Sequence, residues 1–342
     1  MFQTLPRSCT EQDMQYRAPW WLPGGHAQTI WSAKVAHSHK PEAAPRWQRV
    51  RWDTPDGDFI DIDHSEHAVD EQAPLVVMFH GLEGNADSHY VQAMATVAQQ
   101  RGWAFALVHF RGCSGEINRE PRAYHSGDHE EIDWILKRFA LQHPQRSRRA
   151  VGISLGGNAL MRWAGEHGGV AARVVDSVVS VCSPLDLAAS GHAIGRGFNR
   201  WVYTPRFLKT MKPKAVQKWQ QFPGLFDLEA ALRAKDLYGF DNVFTAPLHG
   251  FKDTDDYWTR AAAKPVMRHI GLPALAINAL NDPFVPASSL PQAREVSPHV
   301  TLWQPPQGGH VGFARHSHGW GVPGDVRALP EAVSHWWEQV HG

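Results

Sequence analysis

The stretch Val151-Gly152-Ile153-Ser154-Leu155-Gly156-Gly157 places a serine between two glycines, within a Gly-x-Ser-x-Gly pentapeptide. The run over 149–153 predicts a strand arriving at it, and 158–164 predicts a helix leaving it. A serine on so tight a strand-to-helix turn is thrust out of the backbone, and its glycine neighbours let flanking elements approach a turn that side chains would block. The alternative is an ordinary glycine-rich turn with Ser154 as helix N-cap. The pentapeptide alone does not separate the two, but either way it demands a strand followed directly by a helix, the repeating unit of a parallel sheet.

Three further features follow in a definite order. The apolar run 74–79 reads as a buried strand and ends in His80-Gly81-Leu82-Glu83-Gly84. Small residues there suit a loop whose backbone N–H groups face a bound carbonyl oxygen, so the N–H groups of Leu82 and Leu155 are the candidate oxyanion donors. A second apolar run, 272–279, leads into Leu280-Asn281-Asp282-Pro283, where Asp282 could reach a neighbouring histidine or simply form a turn before proline. Beyond a last run, 300–303, lies Gln307-Gly308-Gly309-His310-Val311-Gly312-Phe313, whose glycines give the loop freedom to present His310. The chain holds 21 histidines, so position must single this one out. The order Ser154, Asp282, His310 is that of a nucleophile, acid and base on a hydrolase sheet. Each also follows the carboxyl end of a predicted strand, where open α/β sheets place their sites.

Strands and helices alternate around these motifs. A hairpin pattern, 48–52 and 59–63 about Pro55-Asp56-Gly57, precedes strand 74–79, helix 88–101, strand 103–109, helix 127–142 and strand 149–153. Strands 175–182, 273–279 and 299–303 follow, and a closing helix starts near Leu329-Pro330. Ile132, Ile135, Leu136 and Phe139 fall on one helical face. This predicts an α/β fold with a mostly parallel central sheet and helices on both faces. From 185 to 264 the alternation stops, and aromatic residues at helical spacing predict a helical lid inserted over the strand ends. The expected division is an irregular arm over 1–46, a core over 47–184 and 265–342, and the lid over 185–264. Most of the 15 tryptophans are expected in packing.

Composition narrows the function. Lys+Arg and Asp+Glu are both 34, so the formal net charge is zero, and no basic stripe points to nucleic acid as a partner. Cys9, Cys113 and Cys182 are odd in number and widely spaced, which indicates neither a disulfide framework nor a zinc knuckle and fits reduced thiols in a cytoplasm. The first residues lack the apolar core of a signal peptide, and no run approaches the roughly 18 apolar residues of a membrane span. His37 with His39, and His316 with His318, have no third ligand at a characteristic spacing and read as loop histidines. The cluster His125, Asp128, His129, Glu130 and Glu131 sits at a helix start, where acids suit the helix dipole. Gly112-Cys113-Ser114-Gly115 resembles a nucleophile motif but lacks the strand and helix around it, and reads as a turn.

Four stretches carry a resemblance beyond the pentapeptide: Pro23-Gly24-Gly25-His26-Ala27-Gln28-Thr29-Ile30, His80-Gly81-Leu82-Glu83-Gly84, Phe110-Arg111-Gly112-Cys113-Ser114-Gly115 and Tyr124-His125-Ser126-Gly127-Asp128. With the elbow and the two loops, residues 15–340 resemble the α/β-hydrolase superfamily, and within it the YheT-like (AB-hydrolase 4) esterase family. The resemblance implies an α/β-hydrolase fold and carboxylic ester hydrolysis, with Ser154 as nucleophile, Asp282 as acid and His310 as base. Some relatives carry a membrane anchor or a His-x4-Asp acyltransferase signature; neither is found here. The expected substrate is a small or medium acyl ester, and the chemistry requires no metal or organic cofactor. An acyltransferase using the same acyl-enzyme and a non-catalytic ligand-binding module on the same fold are the alternatives.

Overall fold

The computed structural model describes residues 15–36, 44–316 and 324–342; Cys9, the first residues, His37, His39 and His318 lie outside them. Eight strands form one sheet in the order β1-β2-β4-β3-β5-β6-β7-β8. β1 (Trp47–Asp53) and β2 (Phe59–Ser65) form the expected hairpin, and β2 runs antiparallel to β4 (Ala104–Val108). From β4 onward, through β3 (Leu75–Phe79), β5 (Arg148–Ile153), β6 (Ser177–Val181), β7 (Ala274–Ile277) and β8 (Val300–Trp303), every pairing is parallel.

The central strands are buried on both faces, which is why they read as unbroken apolar runs rather than alternating ones. Leu75, Val77 and Phe79 of β3 point into one core with Ile132, Ile135 and Leu136 of α3 (His129–Gln142) and Leu160 of α4 (Leu155–His167). Val76 and Met78 point the other way, against Val91 and Met94 of α2 (His89–Gln100) and Trp336 and Trp337 of the closing helix Ala328–His341. Among the described residues eight tryptophans, including Trp163, Trp336 and Trp337, are buried, whereas Trp20 and Trp201 stand exposed.

β4 lies on one side of β3 and β5 on the other. The winding direction therefore reverses at β3, and a crevice opens outside the carboxyl ends of β3 and β5. The loops bearing His80 and Ser154 both leave the sheet there. Between β6 and β7 the chain runs through helices instead of strands, among them α5 (Leu187–Ile194), α6 (Gly197–Val202) and α7 (Thr204–Gln221). This stretch has an apolar cluster of its own, with Leu208, Phe226, Phe240 and Phe244 buried.

One expectation fails. Part of the arm is not irregular, since Gly24–Lys34 forms a helix, α1. Two glycines and a preceding proline give it poor intrinsic propensity. Tertiary contact supplies what propensity lacks: Gln28, Thr29, Trp31 and Ser32 are all buried.

Candidate active site

The turn after β5 is strained. Ser154 has φ 51° and ψ −117°, outside the regions an L-residue adopts freely. It stands at the N-cap position of α4, yet its side chain makes no cap hydrogen bond. The hydroxyl instead points out of the turn. The glycines explain how so tight a turn packs. A Cβ on Gly152 would lie 2.4 Å from the Gly156 carbonyl oxygen, one on Gly156 2.5 Å from that of His80, and one on Gly157 2.0 Å from Ser183 Oγ. None of those spaces admits a methyl group.

Ser154 Oγ lies 3.0 Å from His310 Nε2, and His310 Nδ1 lies 2.9 Å from Asp282 Oδ2. The loops after β5, β7 and β8 thus bring the three side chains into one hydrogen-bonded line. Asp282 faces the histidine and also forms a turn: its other oxygen accepts the backbone N–H groups of Phe284 (2.8 Å) and Val285 (3.3 Å), and its side chain is fully buried. The Phe284 ring packs 4.3 Å from the imidazole, centroid to centroid. The glycines of the histidine loop serve close packing as well as freedom, since Gly309 (φ 60°) also takes a left-handed conformation. A Cβ on Gly309 would meet the Gly25 carbonyl oxygen of α1 at 2.7 Å, and one on Gly312 the Gln28 carbonyl oxygen at 2.9 Å.

The loop after β3 passes behind the serine, where a Cβ on Gly81 would come within 3.2 Å of Ser154 Cβ. In this loop Gly81 N–H donates to Tyr90, Glu83 N–H to Tyr124 and Gly84 N–H to the Gly81 carbonyl. Among the described residues, neither the Leu82 N–H nor the Leu155 N–H donates a hydrogen bond within the chain. Leu155 opens α4, so its N–H also carries the positive end of the helix dipole. His80 itself is structural. Burial lowers its pKa to about 3, so the ring is neutral. Its Nδ1 donates to the Gly81 carbonyl while its Nε2 accepts the Phe110 N–H.

A cavity of about 1120 Å³, including its mouth, opens beside Ser154 and His310. Leu187, Ile194, Phe207, Met211, Phe240 and Phe244, all from between β6 and β7, line it. A second opening of about 1290 Å³ reaches the same serine and histidine from the other side, bounded by Thr29 and Lys34 of α1, Asn85 and Arg206. Both spaces are mostly apolar and both carry charges at their edges: Glu83, Lys214 and Asp241 border the first, Lys34, Asp87 and Arg206 the second.

No sequence pattern signals the group that braces the loop after β3. Glu83, in a left-handed conformation (φ 57°), accepts Lys214 Nζ at 2.8 Å and Tyr124 Oη at 2.7 Å. Lys214 comes from α7 and also reaches Cys113 Sγ at 3.3 Å. Burial pushes that thiol up to about 11. The Gly112–Gly115 stretch is indeed a turn beyond β4, and its cysteine packs behind the site without lining the cavity. The acids at the start of α3 do more than suit a dipole. Glu131 Oε1 accepts Arg111 Nε at 2.6 Å, although burial still raises its pKa to about 7, and Asp128 pairs with Arg122.

Cys182, Asp282 and His310 bring three ligand-type atoms within 4.8 Å of one another. They fit a metal poorly. His310 Nδ1 and Asp282 Oδ2 are engaged with each other, and burial, with the Asp282 charge beside it, holds the Cys182 thiol well above its usual range. Among the described residues no helix is long and apolar enough to cross a membrane.

A family model for the alpha/beta hydrolase fold matches residues 74–317, and the chain belongs to that family. Within it the chain falls in the YheT-like group. It is 38% identical over 272 residues to the Escherichia coli (strain K12) protein named "Putative esterase YheT", covering 79% of this chain and 78% of that one. Phospholipase ABHD3 of Bos taurus is 27% identical over 259 residues, which span 75% of this chain and 62% of the bovine protein. In fold, the chain resembles the Pyrococcus furiosus esterase Pf2001 with a TM-score of 0.54 at 15% identity, covering 87% of this chain and 92% of that one. Family and named relatives make this chain a hydrolase.

Proposed function

We propose that the protein is a serine esterase that cleaves carboxylic esters through an acyl-enzyme. The observation that carries this reading is the unbroken line from Ser154 Oγ to His310 (3.0 Å) to Asp282 (2.9 Å) at the mouth of an apolar cavity. His310 Nε2 takes the serine proton as Oγ attacks the ester carbonyl. Asp282 fixes the proton on Nδ1 and stabilises the imidazolium that forms. The N–H groups of Leu82 and Leu155 hold the developing oxyanion, each donor contributing about 3–4 kcal/mol to the lowered barrier. His310 then protonates the departing alcohol, and water repeats the sequence on the acyl-serine.

The two openings divide the substrate. The acyl chain lies among Leu187, Phe207, Met211 and Phe244, under a helical cap made by the chain between β6 and β7. The alcohol leaves through the second space, beside Lys34, Asn85 and Arg206. A medium-chain acyl ester with a polar alcohol suits both. Such a substrate is also in keeping with the names of the esterase and phospholipase relatives.

Ser154→Ala should abolish turnover of short p-nitrophenyl esters while circular dichroism and melting stay those of the parent. Retained turnover would exclude Ser154 as nucleophile. Adding alcohol acceptors should leave the free acid as the main product; a predominant transfer product would make the protein an acyltransferase instead.

A further inference from the structure

The motif at 23–30 supplies no reacting group, yet its helix meets the site through its polar side chains. We propose that α1 is a positioning frame that sets the catalytic histidine loop against the acid loop, with Gln28, Thr29 and Ser32 as its working residues. This rests on the reading of Ser154, His310 and Asp282 as a triad.

The histidine loop is strained, although its Gly312 and Phe313 N–H groups close it on the Gly308 carbonyl. Val311 (φ 55°) and Phe313 (φ 40°) are non-glycine residues in the left-handed region, and Val311 is β-branched. Each such residue is strained and persists only where its surroundings impose it. Val311 itself is held by Cys182 Sγ, which accepts its N–H at 3.2 Å, and by His89 Nε2, 2.9 Å from its carbonyl oxygen, and the residues on either side of it are held by α1. Gln28 Oε1 accepts the Gly308 N–H at 2.9 Å, Thr29 Oγ1 accepts the His310 N–H at 2.8 Å, and Ser32 Oγ donates to the Gly312 carbonyl at 2.9 Å. Three successive points of the loop, one of them the histidine's own amide, are thus fixed from a single helix.

The same helix fixes the acid loop. Gln28 Oε1 also accepts Asn281 Nδ2 at 3.0 Å, and Asn281 Oδ1 in turn accepts the Gly309 N–H at 2.9 Å. Asn281 immediately precedes Asp282. One glutamine oxygen therefore bridges the loops that carry acid and base. The fit is close as well as bonded, for a Cβ on Gly25 would lie 1.8 Å from the Asn281 carbonyl oxygen.

An ordinary packing helix turns apolar side chains inward. This one buries polar ones: Gln28 and Ser32 are fully buried and Thr29 is 6% exposed. Gln28 completes its set by donating Nε2 to the Leu22 carbonyl at 3.0 Å. Thr29 donates to the Gly25 carbonyl at 2.7 Å while accepting from His310. The buried polar side chains of Gln28, Thr29 and Ser32 are all partnered, so the helix sits in one register against the loop.

Thr29→Val keeps the shape and removes the acceptor facing the His310 amide. Its kcat on p-nitrophenyl butyrate, and its second-order rate of Ser154 labelling by a fluorophosphonate, should both fall about tenfold per folded molecule. KM should stay within about twofold, because the hydroxyl removed is already engaged with Gly25 and His310 and valine keeps the bulk that Thr29 presents to the second opening. Thr29→Ser, which retains the hydroxyl, should restore both rates. An unchanged labelling rate in folded Thr29→Val, or a loss confined to KM, overturns the proposal. Should that variant fail to fold, Ser32→Ala releases the other end of the loop and should show the same split at about threefold, with no change overturning it. Labelled peptides from the parent separate the two levels of argument. Absence of label on Ser154 defeats the triad and the frame together, whereas a labelled parent with an equally fast Thr29→Val defeats the frame alone.

Discussion

Replacing Asp282 by asparagine separates a catalytic acid from a turn-forming one. Oδ1 of Asp282 accepts two backbone N–H groups, from Phe284 at 2.8 Å and Val285 at 3.3 Å, and Oδ2 faces His310 Nδ1 at 2.9 Å. An asparagine must keep its oxygen on the two N–H groups. The opposite orientation would set an NH2 against two buried donors and leave them unpaired, at a cost of about 1–3 kcal/mol each. The amide NH2 therefore faces His310 and forces Nδ1 to accept. The imidazole proton moves to Nε2, the atom 3.0 Å from Ser154 Oγ, which can then no longer take the serine proton. A loss of about 10⁴ in kcat follows, equivalent to about 5 kcal/mol of barrier. The turn itself survives, since asparagine caps such turns as well as aspartate does. The assay is initial-rate hydrolysis of a p-nitrophenyl ester, with thermal melting to show that the variant is folded. A folded Asp282→Asn enzyme within about tenfold of the parent would refute the reasoning and leave Asp282 as a turn former.

Other outcomes follow from the same geometry. Each methylene buried among Leu187, Phe240 and Phe244 contributes about 0.8 kcal/mol, so kcat/KM should rise about fourfold per added carbon until the cavity is full, as a graded series of p-nitrophenyl esters would reveal. Gly157→Ala places a methyl 2.0 Å from Ser183 Oγ and 2.6 Å from the Gly152 carbonyl oxygen, and chemical denaturation should record a loss of about 3 kcal/mol. Lys218 is buried, with backbone carbonyls and Gln221 as its partners, and burial brings its pKa down to about 8. The unfolded chain then binds more protons between pH 8 and pH 10.5, so this residue's contribution to stability should rise across that window, by at most about 3 kcal/mol. Denaturation at pH 7.5 and pH 10 should show that rise in the parent relative to Lys218→Met.

Much of the sheet is legible before any coordinates because strands buried on both faces read as continuous apolar runs, and β3, β5 and β7 each end in a loop of distinctive composition. The order of Ser154, Asp282 and His310 is visible for the same reason. What escapes is whatever depends on contacts distant in sequence. The helix Gly24–Lys34 is unreadable locally, because its glycines argue against it and its buried face is polar; only the histidine loop, some 280 residues away, explains Gln28 and Ser32. The glycines at 308, 309 and 312 suggest conformational freedom in isolation, which Gly309 uses (φ 60°), but the close approach of α1 to 309 and 312 is not readable there. The Glu83–Lys214 pair joins a loop after β3 to the middle of α7, and no periodicity connects residues 131 positions apart.

The central claim is that Ser154 becomes acylated during turnover. Acid-quenching the protein in mid-reaction with p-nitrophenyl butyrate, followed by peptide mass mapping, tests it directly. The account predicts a butyryl group on the peptide that contains Ser154, absent from Ser154→Ala. An active protein whose acyl group sits on another residue, or that turns over ester with no adduct while Ser154→Ala keeps pace, would contradict it.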